Sequence, residues 1–245
     1  MSIKRSKLLT VVMSFLNEGE EPRKTIESIF STASSDLLDI IAIDDASKDQ
    51  YDDLADLPNV KYYRNSKRKG VQASKNQGVQ LSETPYILLI DAHMRFKNDN
   101  WLEKILNNLE SEPNTVFGTV CVELTSDDEK ITETQSRGYG ATLTLLDKSK
   151  SGDTPKEIIA PKWMNRSRWM ESPNNELPCV LGACYAFSRE FFLKIKGLEG
   201  LKMWGSTEAY LSMKTWMAGG KCKLLEDIEV GHKFRSKAPY DTNDY

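Results

Sequence analysis

What this 245-residue chain lacks narrows its possible roles before any motif is read. No window holds the roughly 20 consecutive apolar residues needed to span a bilayer. The N-terminus passes from a charged stub directly into a strand-like run, so a cytoplasmic protein with neither a transmembrane segment nor a signal peptide is expected. No charge of one sign dominates: the net charge is −3, which gives no basis for binding nucleic acid through bulk electrostatics. Cysteine is sparse. Cys121, Cys179, Cys184 and Cys222 form no C-x-x-C pair, and buried thiols in a reducing compartment are the expected state. Histidine is scarcer still, with only His93 and His232.

What is present is an alternation of strand and helix patterns. Residues 8–14, 38–43, 60–63 and 86–90 read as strands, while 22–30 and 71–81 read as helices. Pro22 suits a first helical turn. Near-continuous apolar strands joined by helical crossovers predict a single α/β domain, with a mostly parallel central sheet flanked by helices. A helix around 101–109 and a strand around 116–123 follow. Residues 126–178 then turn polar and lose the pattern, which reads as a long substrate-binding excursion. Order returns with a strand over 179–187, a helix over 188–195, and a helix over 207–217 that stops at Gly219-Gly220. The organisation expected is a first half over 1–123, a variable insertion over 124–178, and a second half over 179–245.

Ligands of such sheets bind at the carboxyl ends of the strands. Polar clusters fall there: Asn17-Glu18, Asp44-Asp45-Ala46-Ser47, and Asp91-Ala92-His93. Asp91 and His93, two apart at a strand end, share a face and can hold one divalent cation, with His232 as a third ligand. The aspartate cluster reads as preceding a helix; one carboxylate there can accept hydrogen bonds from a nucleobase or ribose, or the group can simply cap that helix. Lys67-Arg68-Lys69-Gly70 places cations at the start of a helix, where a diphosphate is favoured, although a solvated basic loop fits equally.

Taken together and in order, these clusters resemble the nucleotide-sugar glycosyltransferases of the GT-A fold, inverting family 2 in general and the polypeptide N-acetylgalactosaminyltransferases in particular. The likeness rests on the Val11 to Glu18 strand and turn, Asp44-Asp45-Ala46-Ser47, and Asp91-Ala92-His93 as a form of the metal motif. It continues through Gly182-Ala183-Cys184-Tyr185, Trp204-Gly205 and Leu211-Ser212 to Gly231-His232-Lys233-Phe234-Arg235 with Pro239-Tyr240. The resemblance implies a GT-A (Rossmann-like) fold and transfer of a sugar from a UDP-sugar to an acceptor hydroxyl. It implies Asp91, His93 and His232 as ligands of Mn²⁺ or Mg²⁺. Ser14, Asn17, Asp45, Arg68, Gly70, Lys75 and Ala92 would line the nucleotide side, with Gly182, Ala183 and Trp204 on the sugar side. Lys75 stands where the family has an arginine and keeps the charge without the planar fork. Arg235 and Tyr240 would close over the diphosphate, and a cation with Arg235 would stabilise the leaving group without a general acid.

Two departures matter. Where the polypeptide transferases read Trp-Gly-Gly-Glu-Asn, this chain reads Trp204-Gly205-Ser206-Thr207-Glu208. Glu208 stands where inverting family 2 enzymes keep their general base, and also where a retaining enzyme contacts the donor sugar. The motifs at His93, His232 and Tyr240 favour retention. The second departure is the insertion. There Trp163 and Trp169 serve either as an acceptor platform or as core, and the acceptor is a glycan, a protein or a modified nucleic acid. A nucleotidyltransferase is a weaker alternative, because Asn17-Glu18-Gly19-Glu20-Glu21 is acidic where a phosphate loop is basic. A non-catalytic nucleotide-sugar-binding module is the other.

Overall fold

The structure is a computed structural model that describes residues 6–128, 137–147, 157–201, 203, 205 and 207–235. Tyr240 and Trp204 lie outside the described residues. The first half runs β1 (Leu9–Phe15), α1 (Glu21–Thr32), β2 (Leu38–Asp44), a 3-10 turn (Asp52–Asp56), β3 (Val60–Arg64), α2 (Val71–Leu81), β4 (Tyr86–Asp91), β5 (Met94–Phe96), α3 (Trp101–Ser111) and β6 (Thr115–Glu123). After it come β7 (Arg137–Gly138), β8 (Ala141–Asp147), β9 (Glu157–Trp163), α4 (Arg166–Met170), β10 (Cys184–Ser188), α5 (Arg189–Lys194), α6 (Thr207–Met217) and β11 (Lys221–His232).

The central sheet has the order β3-β2-β1-β4-β10-β6-β11-β5, with β7 beside β6. The strands β3, β2, β1 and β4 are parallel, and β10 is inserted antiparallel to both β4 and β6. Both faces of β1 are buried because alternate residues feed two cores. Leu9, Val11 and Met13 pack with Ile26 of α1 and Ile105 of α3; Val12 packs on the other side with Val79 of α2 and Leu211 of α6. This is the physical reason the strand reads as a continuous apolar run.

From β1 the chain winds outward to β2 and β3, then returns to β4 on the far side of β1. That reversal opens a crevice at the carboxyl ends of β1 and β4. Register brings the ends together, with Phe15 beside Asp44 and Ser14 beside Asp91. At the far edge β11 runs parallel to β6 through a register shift between Leu225 and Glu229, and its end pairs antiparallel with β5, His232 opposite Met94.

Three expectations change. The stretch over 126–178 is not without pattern: β8 and β9 form a two-stranded antiparallel ribbon. The strand expected over 179–187 begins only at Cys184, because the residues before it turn inward, with Val180 N donating to Ser212 Oγ. Asp44-Asp45 leads into a loop and a 3-10 turn rather than a regular helix.

Candidate active site

The crevice is lined by Ser14, Glu18 and Asp45 after β1 and β2, by Arg68, Gly70 and Met203, by Asp91, Ala92 and His93, and by Arg235. The aspartate cluster divides its work. Asp44 is fully buried and accepts from Ser47 N (2.8 Å) and Tyr62 Oη (2.9 Å), with Arg64 3.2 Å away. It closes the turn. Asp45 faces the crevice, where Oδ1 accepts from Lys69 N, Ser74 Oγ and Asn65 Nδ2, and Oδ2 accepts from Gly70 N at 2.8 Å. One oxygen is thus crowded with donors, and Oδ2 retains a lone pair for a ligand.

Gly70 is where the basic loop enters α2. Its backbone has φ 95° and ψ 157°, and it bridges to Met203, whose carbonyl accepts from Val71 N at 2.8 Å. Arg68 lines the crevice as expected. Ser14 does too, its hydroxyl 3.5 Å from Val71 O. Asn17 does not line the crevice: its backbone has φ 56°, and its Oδ1 accepts from Lys48 N at 2.7 Å, which latches the β1 loop to the β2 loop.

Among the described residues, Asp91, His93 and His232 form a group whose ligand atoms all lie within 4.8 Å of one another. His232 Nε2 is 3.6 Å from Asp91 Oδ2, and the two imidazoles meet edge to face with centroids 4.6 Å apart. Among the described residues, His232 Nδ1 is buried without a hydrogen-bond partner. Two neutral imidazoles and one carboxylate suit a divalent transition ion. Burial holds both imidazoles below the usual histidine range, which favours the neutral, ligating form.

Lys75, expected to contact a nucleotide, lies against Asp91. Its side chain is 4% exposed, and Nζ sits 2.9 Å from Asp91 Oδ1. Burial works against ionisation of Asp91, but Lys75 and His232 outweigh it and hold the carboxyl well below the usual carboxylate range. The turn that carries the metal group is pinned from behind by Thr25, a residue absent from the sequence reading. Its hydroxyl donates to Ala92 O at 2.8 Å and accepts from Met94 N.

Gly182 and Ala183 lie beside rather than in the crevice. Ala183 O accepts from Asp91 N at 3.0 Å. A Cβ on Gly182 would fall 1.8 Å from Glu208 Oε1, so the missing side chain is what lets Glu208, in the first turn of α6, lie against β10. Burial raises the Glu208 carboxyl above its ordinary value. The two insertion tryptophans separate: Trp169 is buried and stacked on Tyr139, whereas Trp163 is 44% exposed and packs on Phe234, which in turn packs on His232.

Glu18 is a crevice residue to which sequence reasoning assigned no role. It stood in the polar cluster after β1, but its partners, His93 and Arg235, lie far along the chain.

Residues 10–195 match the family described as glycosyl transferase family 2. The chain belongs to that family. Among its relatives, polypeptide N-acetylgalactosaminyltransferase 4 of Caenorhabditis elegans is 26% identical over 240 residues, covering 94% of this chain and 39% of that protein. Human polypeptide N-acetylgalactosaminyltransferase 10 is also 26% identical, over 94% of this chain and 38% of its own length. The chain therefore spans about two-fifths of these relatives. Among solved structures, GalNAc-T7 with UDP, GalNAc and Mn²⁺ superposes with a TM-score of 0.75 at 22% identity, over 96% of this chain and 44% of that one. Staphylococcus aureus TarS in complex with UDP-GlcNAc gives 0.64 at 12% identity, over 94% and 60%. These likenesses establish the GT-A fold for this family 2 domain. Among its described residues, no helix is long and apolar enough to cross a membrane.

Proposed function

We propose that this family 2 domain is a metal-dependent glycosyltransferase that moves a sugar from a UDP-sugar to an acceptor hydroxyl with retention of configuration. The observation that carries the reading is the group of Asp91, His93 and His232, the first two of which line the same crevice as Asp45 and Arg235. Held there, Mn²⁺ or Mg²⁺ would supply Lewis-acid stabilisation of the departing diphosphate. The protein's own part is to position. Asp45 Oδ2 would accept from the nucleotide, Ser14 and Arg68 would flank it, and Arg235 would add positive charge where negative charge develops. The relatives support UDP and a divalent ion, since GalNAc-T7 was solved with both.

Glu208 lies against Gly182, near enough to Asp91 for that charge to act on the Glu208 carboxyl. Nearness to the candidate metal group supports a donor-sugar contact, and the motifs at His93, His232 and Tyr240 support retention. The β8-β9 ribbon and Trp163 then form the acceptor side of the insertion. A protein or glycan acceptor agrees with the relatives' names, whereas a nucleic acid acceptor draws no support from them. The runner-up is an inverting enzyme with Glu208 as base. A panel of UDP-sugars assayed for Mn²⁺-dependent UDP release, with the product anomer read by NMR, tests both. A β-product from an α-linked donor would overturn retention, and tight UDP binding without turnover of any sugar would leave a binding module.

Gly182→Ala is expected to displace the Glu208 side chain from Cγ outward. Thermal stability should change little, while the KM for the donor should rise about 10- to 100-fold, the range for losing a hydrogen bond to a charged group. An unchanged KM would remove Glu208 from the sugar site.

A further inference from the structure

Glu18 has no part in the reading above, yet it stands among the polar contacts of the crevice. Its side chain is 6% exposed; Oε2 lies 3.5 Å from His93 Nδ1, and it forms an ion pair with Arg235. Arg235 also contacts His93 Nδ1. The two contacts to that nitrogen require different tautomers. A guanidinium only donates, so with Arg235 at Nδ1 that nitrogen presents its lone pair and the proton of the neutral ring sits on Nε2. Because Nδ1 is turned to Glu18 and Arg235, Nε2 is the nitrogen left to join Asp91 and His232. A protonated Nε2 has no lone pair to give a metal. With the proton on Nδ1 instead, Glu18 accepts it and Nε2 is bare. Carboxylates placed this way behind a ligating imidazole fix its tautomer and orientation.

We propose that Glu18 is a positioning residue shared by two partners: paired with Arg235, it lets the guanidinium hold His93 in the non-ligating tautomer, and released from Arg235 it accepts a hydrogen bond from Nδ1–H and so leaves Nε2 bare to ligate. The inference rests on the reading of Asp91, His93 and His232 as a metal site. No covalent bond to carbon changes. The ring loses one proton from Nε2 to water and gains one at Nδ1 from water. An anion that draws Arg235 away, such as a nucleoside diphosphate, would thereby prepare the third ligand, so that donor and metal bind cooperatively.

The test has arms of opposite sign. In Mn²⁺ titrations of the full chain without nucleotide, followed by the EPR signal of the free ion, Glu18→Ala should weaken binding roughly 10- to 100-fold. Glu18→Gln, whose amide oxygen still accepts from Nδ1–H, should recover most of that loss. Arg235→Ala should tighten binding. Because the chain has only two histidines, long-range ¹H–¹⁵N spectra can report each tautomer. His93 should carry its proton on Nε2 in the metal-free wild type and on Nδ1 in Arg235→Ala, a readout that does not depend on Glu18→Ala folding. Wild-type affinity in a folded Glu18→Ala, unchanged or weaker binding in Arg235→Ala, or an Nδ1–H tautomer in the metal-free wild type would each overturn the proposal while leaving the metal site standing. A wild type that binds no Mn²⁺ would overturn the metal reading, and this inference with it.

Discussion

Asp91→Asn is expected to lose Mn²⁺-dependent UDP release by at least about 10²- to 10³-fold, the scale for removing a group that stabilises transition-state charge. The same substitution should also destabilise the metal-free protein, because Asp91 does two jobs. It is the carboxylate of the candidate metal group, and it is the counter-ion of Lys75, whose side chain is 4% exposed. Removing one partner of a buried pair strands the other. Here the cost should be about 2–3 kcal/mol, below the figure for fully enclosed pairs because the Asp91 side chain is 30% exposed. The two roles separate in a double variant. Lys75→Met with Asp91→Asn should restore most of the thermal stability, since no unpaired charge remains, and none of the metal-dependent turnover. Calorimetry and a UDP-release assay on the single and double variants check this. Recovery of turnover in the double variant would mean that Asp91 serves only to neutralise Lys75.

Gly70→Ala should be the most destabilising single-methyl substitution in the nucleotide half. Its backbone, at φ 95° and ψ 157°, lies in a region that costs other residues about 1–3 kcal/mol. The new Cβ would also fall 2.2 to 2.5 Å from the backbone Cα, N and O of Met203. No side chain can swing aside to relieve that overlap, so the bridge between Gly70 and Met203 must open. With it go the hydrogen bond from Val71 N to Met203 O and the seating of Gly70 N on Asp45. A total loss of about 3–5 kcal/mol follows, which for a domain of this size lowers Tm by about 6–20 °C. Scanning calorimetry measures the first effect, and UDP titration the accompanying weakening. A fall of only 1 or 2 °C would mean that the loop is less tightly docked on α2 than this geometry requires.

The residues that made the fold legible are those whose cause is local. The helices α2 and α6 begin and end where the sequence says, because Gly70 and Gly219-Gly220 punctuate them and their apolar residues recur at helical spacing. The strands β1, β2 and β4 were readable because both faces are buried and the whole run is apolar. What failed was short or depended on distant partners. At three residues β5 is too short to show a period, and β8 and β9 were diluted by the polar residues around them. In the site, Asp91, His93 and His232 were visible as scarce residue types at meaningful positions. The engagement of Lys75 with Asp91, of Asn17 with Lys48, and of Glu18 with Arg235 was not, because each is set by tertiary register rather than by spacing along the chain.

The ladder between β5 and β11 carries one more consequence. His93 immediately precedes β5 and His232 is the last residue of β11, so the two imidazoles meet only when the final strand of the described chain has zipped onto the sheet. Pairings between segments so distant in sequence form late, after the loop-closure entropy has been met. The metal group is therefore a marker of completed folding. A bound ion would act as a rivet on the last strand, and amide exchange at Val230, Gly231 and the facing Arg95 should slow on its addition while exchange in β1 and β2 stays as it was.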